Sequence, residues 1–107
     1  MSKPITRHPA VEQDIFDIAR WIARDSREAA LKFFVAVEET VEGLRLFPGK
    51  GSPKQFRAKA LAGIRTWFVR GFPNHLIFYT VRPHEIYVIA VLHGARNTAK
   101  ILRARVK

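Results

Sequence analysis

Apolar residues recur at helical spacing over the first 45 residues of the chain. One stripe consists of Val11, Ile15, Ile18 and Ile22. These residues are three or four positions apart with polar residues between them, which is typical of an amphipathic helix. We therefore predict a helix from residue 10 to about residue 24. A second stripe follows the N-cap residues Asp25 and Ser26 and predicts a second helix: Ala30, Phe33 or Phe34, Val37, Val41 and Leu44. The short turn between the helices predicts an antiparallel hairpin.

The pattern changes after a cluster of proline and glycine that ends the second helix: Pro48, Gly49, Gly51 and Pro53. The basic stretch 54–62 predicts a loop or one helical turn. Three strand-like runs follow, at residues 64–70, 75–82 and 85–93, with turns at 71–74 and 83–84. This spacing favours an antiparallel meander. Residues 3–8 predict a short edge strand, and residues 97–107 predict either a short basic helix capped by Asn97 or Thr98, or a loose tail.

The resulting element order, β-α-α-β-β-β, predicts an α+β fold. An N-terminal edge strand and a helical hairpin would pack on one face of a small antiparallel sheet. The strands, however, are apolar on both faces. Strict alternation along the last strand assigns one face to Ile86, Val88, Ala90 and Leu92, and the other to Tyr87, Ile89, Val91 and His93. Because the hairpin covers only one face, the second needs the C-terminal segment or a partner to cover it.

Composition narrows the class of protein. The chain has 107 residues, 48% of them hydrophobic, which predicts one globular domain over residues 1–107. It has no cysteine, and its four histidines are not closely spaced with carboxylates, so we expect no metal site. It has no phosphate-binding glycine motif, so we expect no nucleotide cofactor. Because no run is apolar enough for a secretory signal or a membrane helix, we expect a cytoplasmic protein that does not contact a membrane.

The charge is distributed very unevenly along the chain. Residues 1–45 carry 7 basic and 8 acidic side chains, a net charge of −1, whereas residues 46–107 carry 12 basic side chains and one acidic, a net charge of +11. Glu85 is the only carboxylate of this second part. Such an uncompensated field attracts a polyanion, whether nucleic acid, a nucleoprotein machine or an acidic protein. The alternative is a basic surface that serves solubility alone.

Several segments, in order, resemble one family. The helix-one stretch of residues 10–22 resembles the "A…DL..I..Y" opening of the RelE/ParE toxins. Ala30 and Phe33, followed by Val37, Leu44, Phe47-Pro48-Gly49 and Gly51, resemble their second helix and its exit. Gly63-Ile64-Arg65 resembles the segment that enters the sheet of these toxins, and Phe78-Tyr79 resembles part of one of their sheet strands. Residues 91–97, Val-Leu-His-Gly-Ala-Arg-Asn, resemble the "VLHGARD" ending of the ParE branch, with Asn97 in place of aspartate. The resemblance covers residues 6–97.

This resemblance implies a compact α+β toxin of a type II toxin–antitoxin system, which a cognate antitoxin binds and silences. ParE-like members interfere with DNA gyrase, whereas RelE-like members cut mRNA on the ribosome. We predict a ParE-like toxin, with a RelE-like, ribosome-dependent mRNA endonuclease as the alternative. An inactive or purely DNA-binding relative is a third possibility, because a shared fold does not determine function.

The ribonuclease alternative needs a base, an acid and cations around the scissile phosphate. The sequence offers four candidates for such a catalytic site on or near the sheet: Arg65, Tyr79, His93 and Arg96. The segment after Arg96 has neither the tyrosine nor the histidine that RelE-like members tend to carry there, which favours a protein that is not an enzyme. Each candidate also has a structural interpretation. The other three histidines are not candidates, because they lie beside prolines or turns, and we expect them to be solvated: His8, His75 and His84.

The toxin interpretation defines two surfaces. We predict that basic residues of the second part bind the target: Lys59, Arg65, Arg70, His93, Arg96, Arg103 and Arg105. We predict that an acidic antitoxin lies along the helical hairpin and any uncovered sheet, where it contacts Trp21, Ile77, Tyr79, Ile89 and Val91. Trp21 has a structural alternative, because a residue at the edge of the first stripe can also pack within the hairpin.

Overall fold

The sequence folds into a five-stranded sheet with helices on both faces. The computed structural model describes residues 3–54 and 56–106. Four residues of the predicted domain lie outside the described residues: Met1, Ser2, Gln55 and Lys107. Lys107 also belongs to the predicted segment 97–107. The elements are β1 (Ile5–Arg7), α1 (Val11–Ala23), α2 (Arg27–Leu46), β2 (Ser52–Pro53), β3 (Arg65–Val69), β4 (Phe72–Val81), β5 (Ile86–His93) and α3 (Thr98–Arg105), with 3-10 turns at Pro48–Lys50 and Lys59–Leu61.

The predicted helical hairpin is confirmed. Ser26 caps α2, because its hydroxyl accepts a hydrogen bond from Ala29 N at 3.0 Å. Of the two phenylalanines that the pattern left open, Phe33 is buried and Phe34 is exposed. The apolar stripes of the two helices pack on one sheet face and form the larger core with Val69, Ile77, Tyr79, Ile86, Val88 and Val91.

The sheet has the strand order β1-β5-β4-β3-β2. The predicted antiparallel meander β3-β4-β5 is confirmed, and β2 adds a two-residue edge strand. The sheet is mixed rather than wholly antiparallel, because β1 pairs parallel to β5, with Ile5 opposite Ile86. The predicted turn at 71–74 is wrong. The chain turns at Arg70 and Gly71, whose φ of 83° suits glycine, so that Phe72 already belongs to β4.

A β-bulge corrects the predicted faces of β5. Phe78 pairs with Ala90 and Tyr79 with Val88, so Ile89 is an extra residue in β5. Beyond the bulge the alternation is reversed. Ile86, Val88 and Val91 therefore face the hairpin, whereas Ile89, Ala90 and Leu92 face the opposite side, with Tyr87 packed against them.

The second sheet face is covered by the chain itself. The C-terminal segment forms the helix α3, and Asn97 caps it by accepting a hydrogen bond from Lys100 N at 3.3 Å. Leu102 of α3 is fully buried with Leu61, Ile64 and the sheet residues Phe78, Ile89 and Leu92. Of the two coverings that the sequence left open, the C-terminal segment is therefore the one observed. No helix in the described part of the chain has the length and apolar character that a membrane crossing requires.

Candidate functional site

A basic cleft lies between α3 and the Lys59–Leu61 turn. Its volume is about 650 Å³, and its lining consists of Ala60, Asn97, Ala99, Lys100, Arg103 and Ala104. The small alanine side chains leave the cleft open, while Leu102 turns inward and holds α3 on the sheet. Lys100 and Arg103 are three residues apart, which places them on one face of a helix. Both are exposed, and neither forms an ion pair with any residue in the described ranges.

One of the predicted target-binding residues, Arg103, lines this cleft. Two others are exposed beside lining residues: Lys59 precedes Ala60 on the turn, and Arg96, which lines the groove between α1 and β5, precedes Asn97. Lys100 completes the group, although the sequence did not single it out. Its spacing of three residues from Arg103 on the predicted C-terminal helix is the signal that could have identified it. Arg70 lies apart, on the exposed β3–β4 turn, where its backbone N–H donates to Thr40 Oγ1 at 3.1 Å.

Arg65 and Tyr79 are occupied in holding the segment that follows α2. The Tyr79 hydroxyl donates to Pro48 O and accepts from Gly51 N, both at 2.8 Å. Arg65 Nη1 donates to Gly51 O at 2.6 Å and to Gly49 O at 3.3 Å. Burial raises the pKa of Tyr79, against the opposing effects of the Gly51 hydrogen bond and the Arg65 charge. A neutral phenol with both hydrogen-bonding functions satisfied is a structural group in this fold.

The four candidates for a ribonuclease site are not brought together. Tyr79 and Arg65 lie opposite each other on β4 and β3, and His93 lies opposite His75. Tyr79 and His75 are four residues apart along β4, a separation of about 13 Å at the usual strand rise. Arg65 and Tyr79 therefore occupy one end of the sheet, whereas His93 and Arg96 belong to the other. In addition, the described residues contain no cluster of histidine and acidic side chains that could hold a metal ion.

Arg105 is not part of the free basic surface. Its guanidinium forms two hydrogen bonds to the Asp14 carboxylate, at 2.6 and 2.7 Å, and is largely buried. The hydrogen bonding that Arg105 donates to the Asp14 carboxylate is the main cause that raises the pKa of Arg105. This places Arg105 inside the fold rather than on the target-binding surface predicted for it.

A groove runs between α1 and the end of β5. It has a volume of about 390 Å³ and is lined by Asp14, Asp17, Ile18, Trp21, His75, Val91, Leu92, His93 and Arg96. Trp21 is 64% exposed at its rim, with the Arg24 guanidinium carbon 4.9 Å from the ring centroid. Trp21 therefore does not pack within the hairpin. It is the one exposed member of the predicted antitoxin-binding set, because Ile77, Tyr79, Ile89 and Val91 are buried.

His75 departs from the solvated position expected for it. Its ring packs edge-on against Phe33 at 5.4 Å and against His93 at 5.2 Å between centroids. Its Nδ1 atom is buried and has no hydrogen-bond partner among the described residues. Burial, and secondly the proximity of His93, lower the pKa of His75 from its ordinary value of 6.5. The folded state therefore holds this imidazole neutral at pH values where the unfolded chain protonates it.

We expect this histidine to make stability depend on pH. Between about pH 7.5 and pH 5.5 the unfolded state binds more protons at His75 than the folded state, so the free energy of unfolding falls as the pH falls. His75→Phe should reduce this dependence, because the ring remains but no longer titrates. The same substitution at His84, exposed in the β4–β5 turn, should leave it unchanged. Urea denaturation of the three proteins at several pH values measures the effect, and equal slopes for all of them would contradict it.

Comparison with known proteins extends these observations. The family model of the ParE toxin of the type II toxin–antitoxin system parDE matches residues 5–98. The chain belongs to the ParE toxin family. A solved chain of the chromosomal ParDE toxin–antitoxin system from P. aeruginosa has the same fold, with a TM-score of 0.68 and 17% sequence identity over 86% of this chain and 96% of that one. No curated protein matches the sequence.

Membership confirms the ParE-like resemblance and the α+β fold expected from it. The family match runs from β1 to the first residue of α3. The cleft-lining residues Lys100 and Arg103 therefore lie just beyond the matched segment. The wall that α3 contributes to the cleft is a feature of this ParE-family chain that the family match does not itself describe.

Proposed function

We propose that this ParE-family chain is a toxin that binds DNA gyrase through the basic cleft and interferes with its catalytic cycle in the cytoplasm, without being an enzyme itself. One observation carries the proposal beyond family membership. Lys100 and Arg103 line one cleft, Lys59 lies next to Ala60 on the turn that forms its other side, and the charge of these three residues is not offset by carboxylates of the described residues. Gyrase acts on DNA, so a surface of this charge is attracted to the enzyme when it is loaded with its polyanionic substrate.

A cognate acidic antitoxin neutralises the toxin in this proposal. Acidic side chains offset the charge of the cleft, while an apolar side chain of the antitoxin contacts Trp21 in the groove between α1 and β5. The groove is apolar along Ile18, Val91 and Leu92 and carries Arg96 at one end, which suits an amphipathic segment with negative charge. Of the four buried sheet residues of the predicted antitoxin surface, only Val91 lines this groove, and Ile77, Tyr79 and Ile89 are not part of the contact.

The ribonuclease alternative is not carried forward as a second candidate. Its four residues lie at opposite ends of the sheet, and two of them are occupied with backbone groups of the segment after α2. No observation of the described residues favours mRNA cleavage over gyrase binding.

The first test compares gyrase supercoiling of plasmid DNA with mRNA cleavage in a translating extract, using the purified protein. We expect inhibited or trapped gyrase and intact mRNA. Arg96→Glu combined with Arg103→Glu should weaken inhibition at least tenfold, because charge reversal replaces attraction by repulsion at the cleft. The matched control is Arg20→Glu with Lys32→Glu, two exposed positions on the hairpin that give the same change in net charge. It should inhibit as the unsubstituted chain does.

Two outcomes decide against the proposal. Cut mRNA with unaffected gyrase would make this chain a ribonuclease. Undiminished inhibition by the Arg96→Glu/Arg103→Glu protein, with its circular dichroism unchanged, would show that the cleft is not the surface that acts on gyrase.

A further inference from the structure

The bulge of β5 exposes backbone groups that two side chains satisfy. β1 pairs with β5 only as far as Val88, so beyond that residue this edge of β5 has no neighbouring strand. Asp14 Oδ2 accepts a hydrogen bond from Val91 N at 3.1 Å, and Arg105 Nη1 donates to Ile89 O at 3.1 Å. A carboxylate from α1 and a guanidinium from α3 thus make the hydrogen bonds to the backbone of β5 that a neighbouring strand would otherwise make at the bulge.

The same two side chains bind each other. Arg105 Nη1 lies 2.6 Å from Asp14 Oδ2, and Nη2 lies 2.7 Å from Oδ1, a bidentate arrangement that is stronger and more directional than a single neutral hydrogen bond. The side chains of Arg105 and Asp14 are only 14% and 8% exposed. The other ion pairs of the described residues involve at least one more exposed partner, so solvent screens this pair least.

The pair holds the last turn of a helix that is too short to be stable alone. α3 has eight residues, fewer than an isolated helix needs in water. Asn97 caps its start and Leu102 buries its middle, whereas Arg105 fixes its end to α1 and β5. Arg103 lies two residues before this anchor.

We propose that Asp14 and Arg105 are positioning residues for the basic cleft. They fix the last turn of α3, and through it the direction in which Lys100 and Arg103 project relative to Lys59. Arg105 therefore contributes to target binding indirectly, by orienting the residues that make contact. The inhibitory part of this inference rests on the proposed function, whereas the positioning of α3 does not.

The test combines amide hydrogen exchange with the gyrase assay. Asp14→Asn keeps the shape of the side chain and removes the negative charge that pairs with the Arg105 guanidinium. We expect amides at the end of α3, including Val106 N, which donates to Leu102 O, to exchange at least tenfold faster while amides of β4 keep their rates. Inhibition of gyrase should fall at least fivefold. Arg103→Gln, which removes the charge without placing a carboxylate in the last turn of the helix, should lower inhibition with little change of exchange in α3.

The matched control is Glu12→Gln. It neutralises another carboxylate of α1 that also pairs with an arginine, Arg7 at 3.2 Å, but on an exposed surface. Neither exchange in α3 nor gyrase inhibition should change. If Asp14→Asn does not fold, Arg105→Lys serves as the second variant, because lysine keeps the positive charge but lacks the planar fork that contacts both carboxylate oxygens.

The outcomes separate the two proposals. Unchanged exchange in α3 of the Asp14→Asn and Arg105→Lys proteins would overturn the positioning role. So would an equal increase in exchange throughout β4, which would make the pair a source of global stability alone. An unsubstituted chain that leaves gyrase unaffected would overturn the proposed function, while the exchange rates would still test the positioning of α3.

Discussion

Replacing Gly51 with alanine is expected to lower the free energy of unfolding by about 4 kcal/mol. A Cβ atom on Gly51 would lie 2.8 Å from both Cε1 and Cζ of Tyr79 and closer still to its hydroxyl oxygen. The tyrosine cannot move aside easily, because its ring is fully buried and its hydroxyl is bonded to Pro48 O and Gly51 N. The substitution therefore combines overpacking, at about 1–3 kcal/mol, with the loss of buried hydrogen bonds, at about 1–3 kcal/mol.

Gly49 provides the matched control for this experiment. A Cβ atom there would meet no heavy atom within 4 Å, and its φ is not positive. Gly49→Ala should therefore leave the free energy of unfolding within about 0.5 kcal/mol of its original value, as is usual for surface substitutions. Urea denaturation of both proteins measures the contrast. Equal stability of the two variants would mean that the contact between Tyr79 and Gly51 does not constrain the fold.

Truncation of Leu102 is expected to have the second largest effect. Leu102 is fully buried between α3 and the sheet, so Leu102→Ala removes three buried carbon atoms and leaves a cavity, at a cost of about 3 kcal/mol. The same substitution at Leu46, which is 69% exposed at the end of α2, should change stability by less than about 0.5 kcal/mol.

The comparison of these two leucines tests whether α3 is part of the folded core. Denaturation with urea gives both free energies and the dependence on denaturant, which reports the surface exposed on unfolding. If Leu102→Ala were as stable as Leu46→Ala, α3 would not be packed on the sheet, and the second face of the sheet would be open to a partner.

The helices and the meander could be predicted because their signals are local. The stripes of α1 and α2 follow the helical period, and Ser26 caps α2 as its position suggested. The faces of β5 could not be predicted beyond Val88, because one inserted residue reverses the alternation and nothing in the local pattern marks the bulge at Ile89. The turn before β4 was predicted too long because Pro73 and Asn74 are typical turn residues, whereas both belong to β4, which begins at Phe72.

The roles of individual arginines depend on contacts between distant residues. The charge distribution identified the part of the chain that carries the basic residues, among them Arg103, which lines the cleft. It could not show that Arg105 meets Asp14, a residue 91 positions away, or that Arg65 binds the carbonyl oxygens of Gly49 and Gly51. The burial of Ile77, Tyr79 and Val91 likewise depends on the fold of the hairpin over the sheet. Composition indicates the sign of a surface, whereas tertiary structure decides which side chains reach it.

The parallel pairing of β1 with β5 has a consequence for the order of folding. It joins Ile5 to Ile86 across most of the chain, and the ion pair of Asp14 and Arg105 joins residues that are still farther apart in the sequence. Closing such loops costs chain entropy before any contact compensates for it, which slows folding relative to a helical bundle of the same size. During synthesis the hairpin of α1 and α2 emerges first, but its apolar face stays uncovered until β5 follows, and the basic cleft is assembled last. A growing chain therefore presents the hairpin sequence before the strands and the helix α3 that complete the basic cleft.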